Sequence, residues 1–400
     1  MKLISLLFVI PVLLLALGTI AITAPAMDIK APKHRYASID GLRGFLAMFV
    51  FLHHSSLWYY FVRLHQWGLP SGLFYQFGST SVAMFFMITS FLFFSKLIEG
   101  YGRSFDWLTL YVGRIMRIVP LYLLAVFLIF LTVGFVTHFT LHETFGALMI
   151  QLGQWIMIMG SNVNQLIGTK YIICGVQWSL AYEWMFYCSL AVIGGVFFRL
   201  RPSLIIIFIA TAFLIVFALI IHSYYLYWLW WRLCPFLSGL AAAFVALNEK
   251  AQKFFSHLWV TPGLIALGYI ATCVYPLIIS PVPMLCMTLV FIGLVCGNDL
   301  FGLLIWKPCR LLGQISYSIY LLHGIVLFIT FYFALGFDEA ASLSIVKHWL
   351  TICICCIFVI ILCAFSYCYI EKPGIDCAAA VTKKIRNLFQ PKTTKEGVSI

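Results

Sequence analysis

Arg43 and His54 stand eleven positions apart on an apolar stretch with no other full charge until Arg63, and they are the first residues whose types and spacing could do chemistry. At about 100° per residue, eleven steps bring a helix back to within about 20° of its starting face, and at about 1.5 Å per residue they advance it about 16 Å. A helix here carries a guanidinium at one end and an imidazole near mid-membrane, both on one face. A hydrocarbon layer about 30 Å thick tolerates such groups poorly, so ionisable residues within it are functional candidates. An imidazole in apolar surroundings is mostly neutral and able to accept a proton, as a general base acting on a hydroxyl must be. The plainer reading of His54, a hydrogen-bonded packing residue, stands beside that one. His53 points about 80° away from the Arg43 face, which separates its role from its neighbour's.

Arg114 and Arg117 are three apart, hence on one helix face, and with Asp40 and Arg43 they mark the cytoplasmic boundary. Guanidinium groups at one depth on separate helices can converge on a polyanion, because their forked donors fit phosphate oxygens and helix N-termini add further N–H groups. Anchoring of helix ends to lipid phosphates is the alternative. His323, closing the string Ile319-Tyr320-Leu321-Leu322-His323, lies about eleven residues into a helix that starts inside, at a depth similar to His54. Glu183, in QWSLAYEWMFY from Gln177, lies about six residues into a helix entered from outside. A carboxylate there needs a partner or a cavity, and fixing helix packing is its plainer role. Together these residues outline a polar path through a bilayer.

The elements that must position them follow from composition. With 63% hydrophobic and 10% charged residues, against about 25% charged in soluble proteins, the chain reads as an all-α polytopic membrane protein. A little over ten spans of about 20 residues, with short loops, use up the 400 residues. The net charge of +12 is dispersed among hydrophobic segments, which sets membrane orientation and gives no nucleic-acid module. The 13 cysteines are scattered, the densest group being Cys353, Cys355 and Cys356 inside an apolar helix; they read as small apolar fillers, with no metal expected.

Residues 1–26 form an N-terminal hydrophobic segment. Ala24-Pro25-Ala26 resembles a cleavage signal, yet cleavage would leave Lys30, Lys33 and Arg35 outside, so an uncleaved extra span is expected. Further spans are predicted at about 42–61, 77–97, 118–138, 177–198, 204–221, 229–247, 258–277, 282–296, 312–335 and 346–370. With the loop before Leu42 in the cytoplasm, every Lys and Arg falls inside except Lys2, Arg63, Lys170, Arg232 and Lys347. The long outer segment, 139–176, is open between a loop, an interfacial helix and a re-entrant piece. Tyr224, Tyr225, Tyr227, Trp228, Trp230 and Trp231 read as an interfacial aromatic belt, with sugar stacking as the sharper alternative. Residues 375–400 read as a basic cytoplasmic tail near anionic headgroups.

Five strings, in order, resemble the acyltransferase family 3 membrane proteins. SIDGLRGFLAMFVFLHH from Ser38 to His54 is similar to the family's first core helix, with a basic residue, ten residues and a histidine; Arg114-Ile115-Met116-Arg117 resembles its R-x-x-R. WSLAYEWMFY resembles its W-S-L-x-x-E segment, GQISYSIYLLH from Gly313 to His323 its late histidine helix, and Tyr369 to Pro373 its closing E-K-P. The resemblance covers residues 38–374. It implies a ten-helix transmembrane core, here with one extra N-terminal helix, that passes acyl groups from cytoplasmic acyl-coenzyme A to hydroxyls, usually of carbohydrates, at the bacterial inner membrane.

Carried onto this chain, that makes His54 catalytic, with Arg114 and Arg117 serving the acyl donor, Arg43 assisting, and Glu183 or His323 orienting the acceptor or His54. Acyl-coenzyme A, in the simplest case acetyl-coenzyme A, is then a substrate, and no resident cofactor is expected. The acceptor would be a cell-surface or exported glycan, or its lipid-linked precursor. The family's Ser-Gly-Phe-Leu reads Thr89-Ser90-Phe91-Leu92 here, a departure that bears on helix packing more than on chemistry. No counterpart of the extracytoplasmic domain fused to some members is present, so transfer is expected to be completed within the membrane core. The rival from another class is a proton-coupled exporter of a glycan or lipid intermediate, since intramembrane His and Glu also build proton relays.

Overall fold

The computed structural model describes residues 2–31, 36–68, 72–100, 105–197, 224–275 and 280–389. Among them the protein is all helical, with no strand: α1 Lys2–Ala26, α2 Ala37–Leu64, α3 Leu73–Glu99, α4 Trp107–Val136, α5 Phe145–Ile156, α6 Gln177–Phe197, α7 Tyr224–Val245 and α8 Glu249–Ser256. There follow α9 Thr261–Tyr269, α10 Pro281–Val295, α11 Lys307–Gln314, α12 Ser316–Phe328, α13 Phe337–Ser342, α14 Ile345–Ser366 and α15 Lys372–Phe389. Among the described residues, six helical stretches are long and apolar enough to cross a membrane, or seven if the pair bent by 71° around His257 is one span. Nine of the ten predicted core spans fall on helices, but several of those helices, such as Pro281–Val295, are too short for a full crossing by themselves. The span predicted at 204–221 and the aromatic side chains from Tyr224 to Trp231 lie outside the described residues.

Glycines set the closest approaches around α2. A Cβ on Gly41 would fall 1.9 Å from the Leu304 carbonyl oxygen, and one on Gly313 would fall 1.8 Å from that of Asp40. Backbone contact of this kind drives association where lipid is as apolar as the core and van der Waals packing decides. It presses α11 against the first turns of α2 and fixes the depth of Arg43. Ser90 meets the packing question in a similar way: its hydroxyl donates to the Phe236 carbonyl, and a Cβ on Gly239 of α7 would fall 2.3 Å from the Met87 oxygen. The glycine of the family pattern is thus supplied by the opposite helix.

The N-terminal helix is part of this packing. Val12, Ala16, Ile20 and Ala24, four residues apart, are all fully buried, and the Trp349 indole donates to Ser5 at 3.0 Å, tying α1 to α14. Helix α4 begins at Trp107, well before the predicted 118, because Asp106 caps it by accepting from the Thr109 N–H at 3.1 Å. Arg114 and Arg117 accordingly lie about two and three turns inside the helix.

At the other end, a π-helical turn at Tyr367–Glu371 leads into α15, so the residues after Gly374 are helical as far as Phe389. Gly374 admits α15 to the Met116 carbonyl of α4, and Arg386 pairs with Asp106 at the α4 cap.

Candidate active site

His54 and His323 meet. Nδ1 of His54 lies 2.9 Å from Nε2 of His323, whose own Nδ1 lies 2.7 Å from the Ile319 carbonyl. A carbonyl can only accept, so His323 Nδ1 carries the proton, and a neutral His323 leaves Nε2 as an acceptor. His54 Nδ1 must then carry its proton, with His323 Nε2 and the Val50 carbonyl one turn back as its acceptors, which leaves the lone pair of His54 on Nε2. That is the tautomer a general base needs. Both rings are buried in the bundle, His54 with 8% and His323 with 0% exposure, so neither faces lipid.

His53 does something else: it lies 2.8 Å from the Phe74 carbonyl as donor and packs on Gly78, where a Cβ would come within 2.6 Å of the ring. It pins α2 to α3, consistent with its separate helix face.

Arg43, Arg114, Arg117 and Glu183 line a single cavity, together with Thr89, Ser179, Ser316, Tyr317 and Tyr320. Arg114 stacks over Phe93 with 4.5 Å from guanidinium carbon to ring centroid. Among the described residues, none of the three guanidinium groups forms a hydrogen bond or an ion pair within the protein. Glu183 accepts from the Tyr187 hydroxyl and, at 3.4 Å, from Thr89.

The imidazoles are not among the cavity's lining residues. Two of its wall residues, Tyr320 and Ser179, are joined: Ser179 donates to the Val176 carbonyl at 3.0 Å, leaving its oxygen to accept from the Tyr320 hydroxyl at 2.7 Å. Three residues of α12, about 4.5 Å, separate Tyr320 from His323. The structure thus builds two clusters, the cation-lined cavity and the imidazole pair, stacked along α2 and α12.

Three further groups were not singled out by spacing. Glu371, buried in the π-helical turn and hydrogen-bonded by Ser318, sits close enough to Arg117 and Arg43 to act on both. Ser316 faces the cavity with a buried hydroxyl that has no partner. Cys174 is the third, and it comes from the outer segment. After α5 that segment is knotted around Asn164, whose side chain accepts from the His142 N–H at 2.8 Å and donates to the Thr140 carbonyl at 2.8 Å. It then turns inward through the 3₁₀ turn Thr169–Ile173, so that Ile172, Ile173, Cys174 and Val176 are buried.

Gly324, next to His323, makes room: a Cβ there would lie 2.5 Å from the Ile173 carbonyl carbon. Ring nitrogens of His54 and His323 and the Cys174 sulphur consequently lie within 4.8 Å of one another. Such a trio could also close on a metal ion. The 2.9 Å approach of the two nitrogens, pointed at each other, suits a shared proton better than tetrahedral zinc ligands, which at about 2.0–2.1 Å from the ion spread about 3.3 Å apart.

A helical membrane protein with a cation-lined cavity leading toward a buried base has the parts of a group-transfer enzyme. The family model described as an acyltransferase domain matches residues 36–368, and the chain belongs to that acyltransferase family. The Bacillus subtilis (strain 168) protein YrhL, provisionally named a peptidoglycan O-acetyltransferase, is 26% identical over 384 residues, which is 86% of this chain and 56% of YrhL. The chain thus spans little more than half the length of that relative. No solved structure matches it.

Proposed function

We propose that this protein is a membrane O-acyltransferase, moving an acyl group, in the simplest case acetyl, from cytoplasmic acyl-coenzyme A to a carbohydrate hydroxyl. The setting is the bacterial inner membrane with the C-terminus in the cytoplasm, and the acceptor is a cell-surface or exported glycan or its lipid-linked precursor. YrhL's name makes peptidoglycan the first acceptor to try.

One observation carries this reading: three guanidinium groups that form no hydrogen bond or ion pair among the described residues line a cavity whose wall residue Tyr320 lies one helical turn from a base of the right tautomer. Arg43, Arg114 and Arg117 hold the phosphates of the donor, which fit forked N–H groups. The acyl end of the donor reaches toward Tyr320, whose side chain swings aside to admit the thioester. His54 Nε2 takes the proton of the attacking group, and His323 keeps its ring in register and disperses the charge that forms.

Expression of wild type and His54→Ala in a strain lacking the gene, followed by measurement of ester-linked acyl groups on surface polysaccharide, tests this. The expected result is loss of the esters at normal membrane abundance of the variant. Equal acylation in both strains removes His54 from the mechanism.

A further inference from the structure

We propose that Cys174 carries the acyl group between donor and acceptor as a thioester on its own sulphur, with His54 moving the protons. This rests on the acyl-transfer reading above and adds a covalent step to it. The thiol does not stand alone: its sulphur and the two imidazoles lie within 4.8 Å of one another, and all three residues are buried. Its backbone is held in place, at φ 54 with Gly175 following at φ 70, and Gly324 lets it press against α12 beside His323.

A second, independent feature marks the same spot. Trp58, fully buried on α2 one turn beyond His54, aims its indole N–H at the Cys174 sulphur, a weak acceptor, and among the described residues has no nitrogen or oxygen partner. Buried donors are nearly always paired. A tetrahedral oxyanion formed at that sulphur gives this donor a far stronger acceptor, which is how such groups stabilise acyl-transfer intermediates.

The chemistry balances with the groups present. In the first half, His54 takes the thiol proton, the Cys174 sulphur bonds to the carbonyl carbon of acyl-coenzyme A, the bond from that carbon to the coenzyme's sulphur breaks, and the departing thiolate takes the proton from His54. In the second half, the acceptor hydroxyl gives its proton to His54 and its oxygen bonds to the acyl carbon. The carbon–sulphur bond to Cys174 breaks, and the sulphur regains the proton. One thioester becomes another and then an ester, with no oxidant or added reactant. In so dry a pocket the thiol rests protonated, so the nucleophile exists only while His54 holds its proton. Cys174 belongs to the segment that the charge distribution places outside, whereas the arginines lie toward the inside, so donor and acceptor need never be bound together.

Purified wild type incubated with radiolabelled acetyl-coenzyme A in the absence of acceptor provides the test. The expected result is label on Cys174, located by mass spectrometry and released by neutral hydroxylamine, together with exchange of acetyl groups onto free coenzyme A. Cys174→Ser and Cys174→Ala lose both. Trp58→Phe, which keeps an aromatic ring and removes the N–H, slows exchange about 10²-fold with KM for acetyl-coenzyme A unchanged. Because labelling and exchange are read on the wild type, misfolding of a variant does not shield the proposal. Label on His54 instead of Cys174 overturns it. So does a wild type that acylates its acceptor with neither label nor exchange, a result that leaves the proposed function standing. A wild type that acylates nothing overturns both.

Discussion

At the cavity the three guanidinium groups are half-buried, and the contact that holds Arg114 is a stack on Phe93; one helical turn beyond it, both imidazoles are buried and every ring nitrogen but one is engaged. Long, loosely held cations suit a ligand that enters and leaves, since they can follow its phosphates. A fixed pair of rings suits chemistry, because a base works only if its lone pair is already aimed. The contrast assigns binding to the arginines and turnover to the histidines, and variants in the two regions should affect different rate constants.

The largest effect is expected on the imidazole side: His54→Ala lowers kcat by about 10²–10⁴-fold, read by acyl transfer from acetyl-coenzyme A in detergent or nanodiscs. His323 acts through His54, so His323→Ala lowers kcat by less, with KM for the donor unchanged. His323→Gln, whose amide oxygen can accept from His54 Nδ1–H, restores part of the rate. Rescue that fails while the fold is intact breaks the positioning role.

A smaller effect belongs to the contact that brings the outer loop to the pair. Gly324→Ala forces a Cβ into the Ile173 backbone, and overpacking of this kind costs about 1–3 kcal/mol, seen as a lowered unfolding temperature together with slower transfer. The smallest effect is at the cavity's far side. The Arg386 guanidinium, together with Thr109, holds the Asp106 carboxyl down at about 2. A depressed value means that the α4–α15 contact is fully present above the ordinary carboxylate range and is lost as pH falls from about 4 towards about 2. Asp106→Asn removes that acid dependence, measured by cleavage within α15 with pepsin, which works in acid, and leaves transfer at neutral pH nearly unchanged.

How much could be read from the chain divides along the same line. Arg43 and His54 sharing a helix face is a matter of period, which sequence states directly, and α2 runs unbroken through both. Apolar periodicity likewise located the helices, though not where α4 starts, because the Asp106 cap extends it across residues too polar to read as membrane span. The pairing of His54 with His323 is a contact across 269 positions, set by glycines at Gly41, Gly313 and Gly324 that sequence presents as unremarkable small residues. Cys174 was hidden among 13 cysteines that read as fillers; a left-handed backbone and a loop turned inward, neither of them periodic, single it out. Glu371 stood in view inside the closing E-K-P string, but its nearness to Arg43 and Arg117 depends on the π-helical turn that places it.

The most direct test of the central claim is steady-state kinetics on purified Arg114→Ala and His54→Ala, with acetyl-coenzyme A varied at fixed acceptor. A division is expected: Arg114→Ala raises KM for the donor about tenfold with kcat near wild type, the loss of about one charge-assisted contact, while His54→Ala lowers kcat with KM unchanged. An Arg114→Ala protein whose KM for acetyl-coenzyme A equals that of wild type, or a His54→Ala protein that turns over at the wild-type rate, contradicts it.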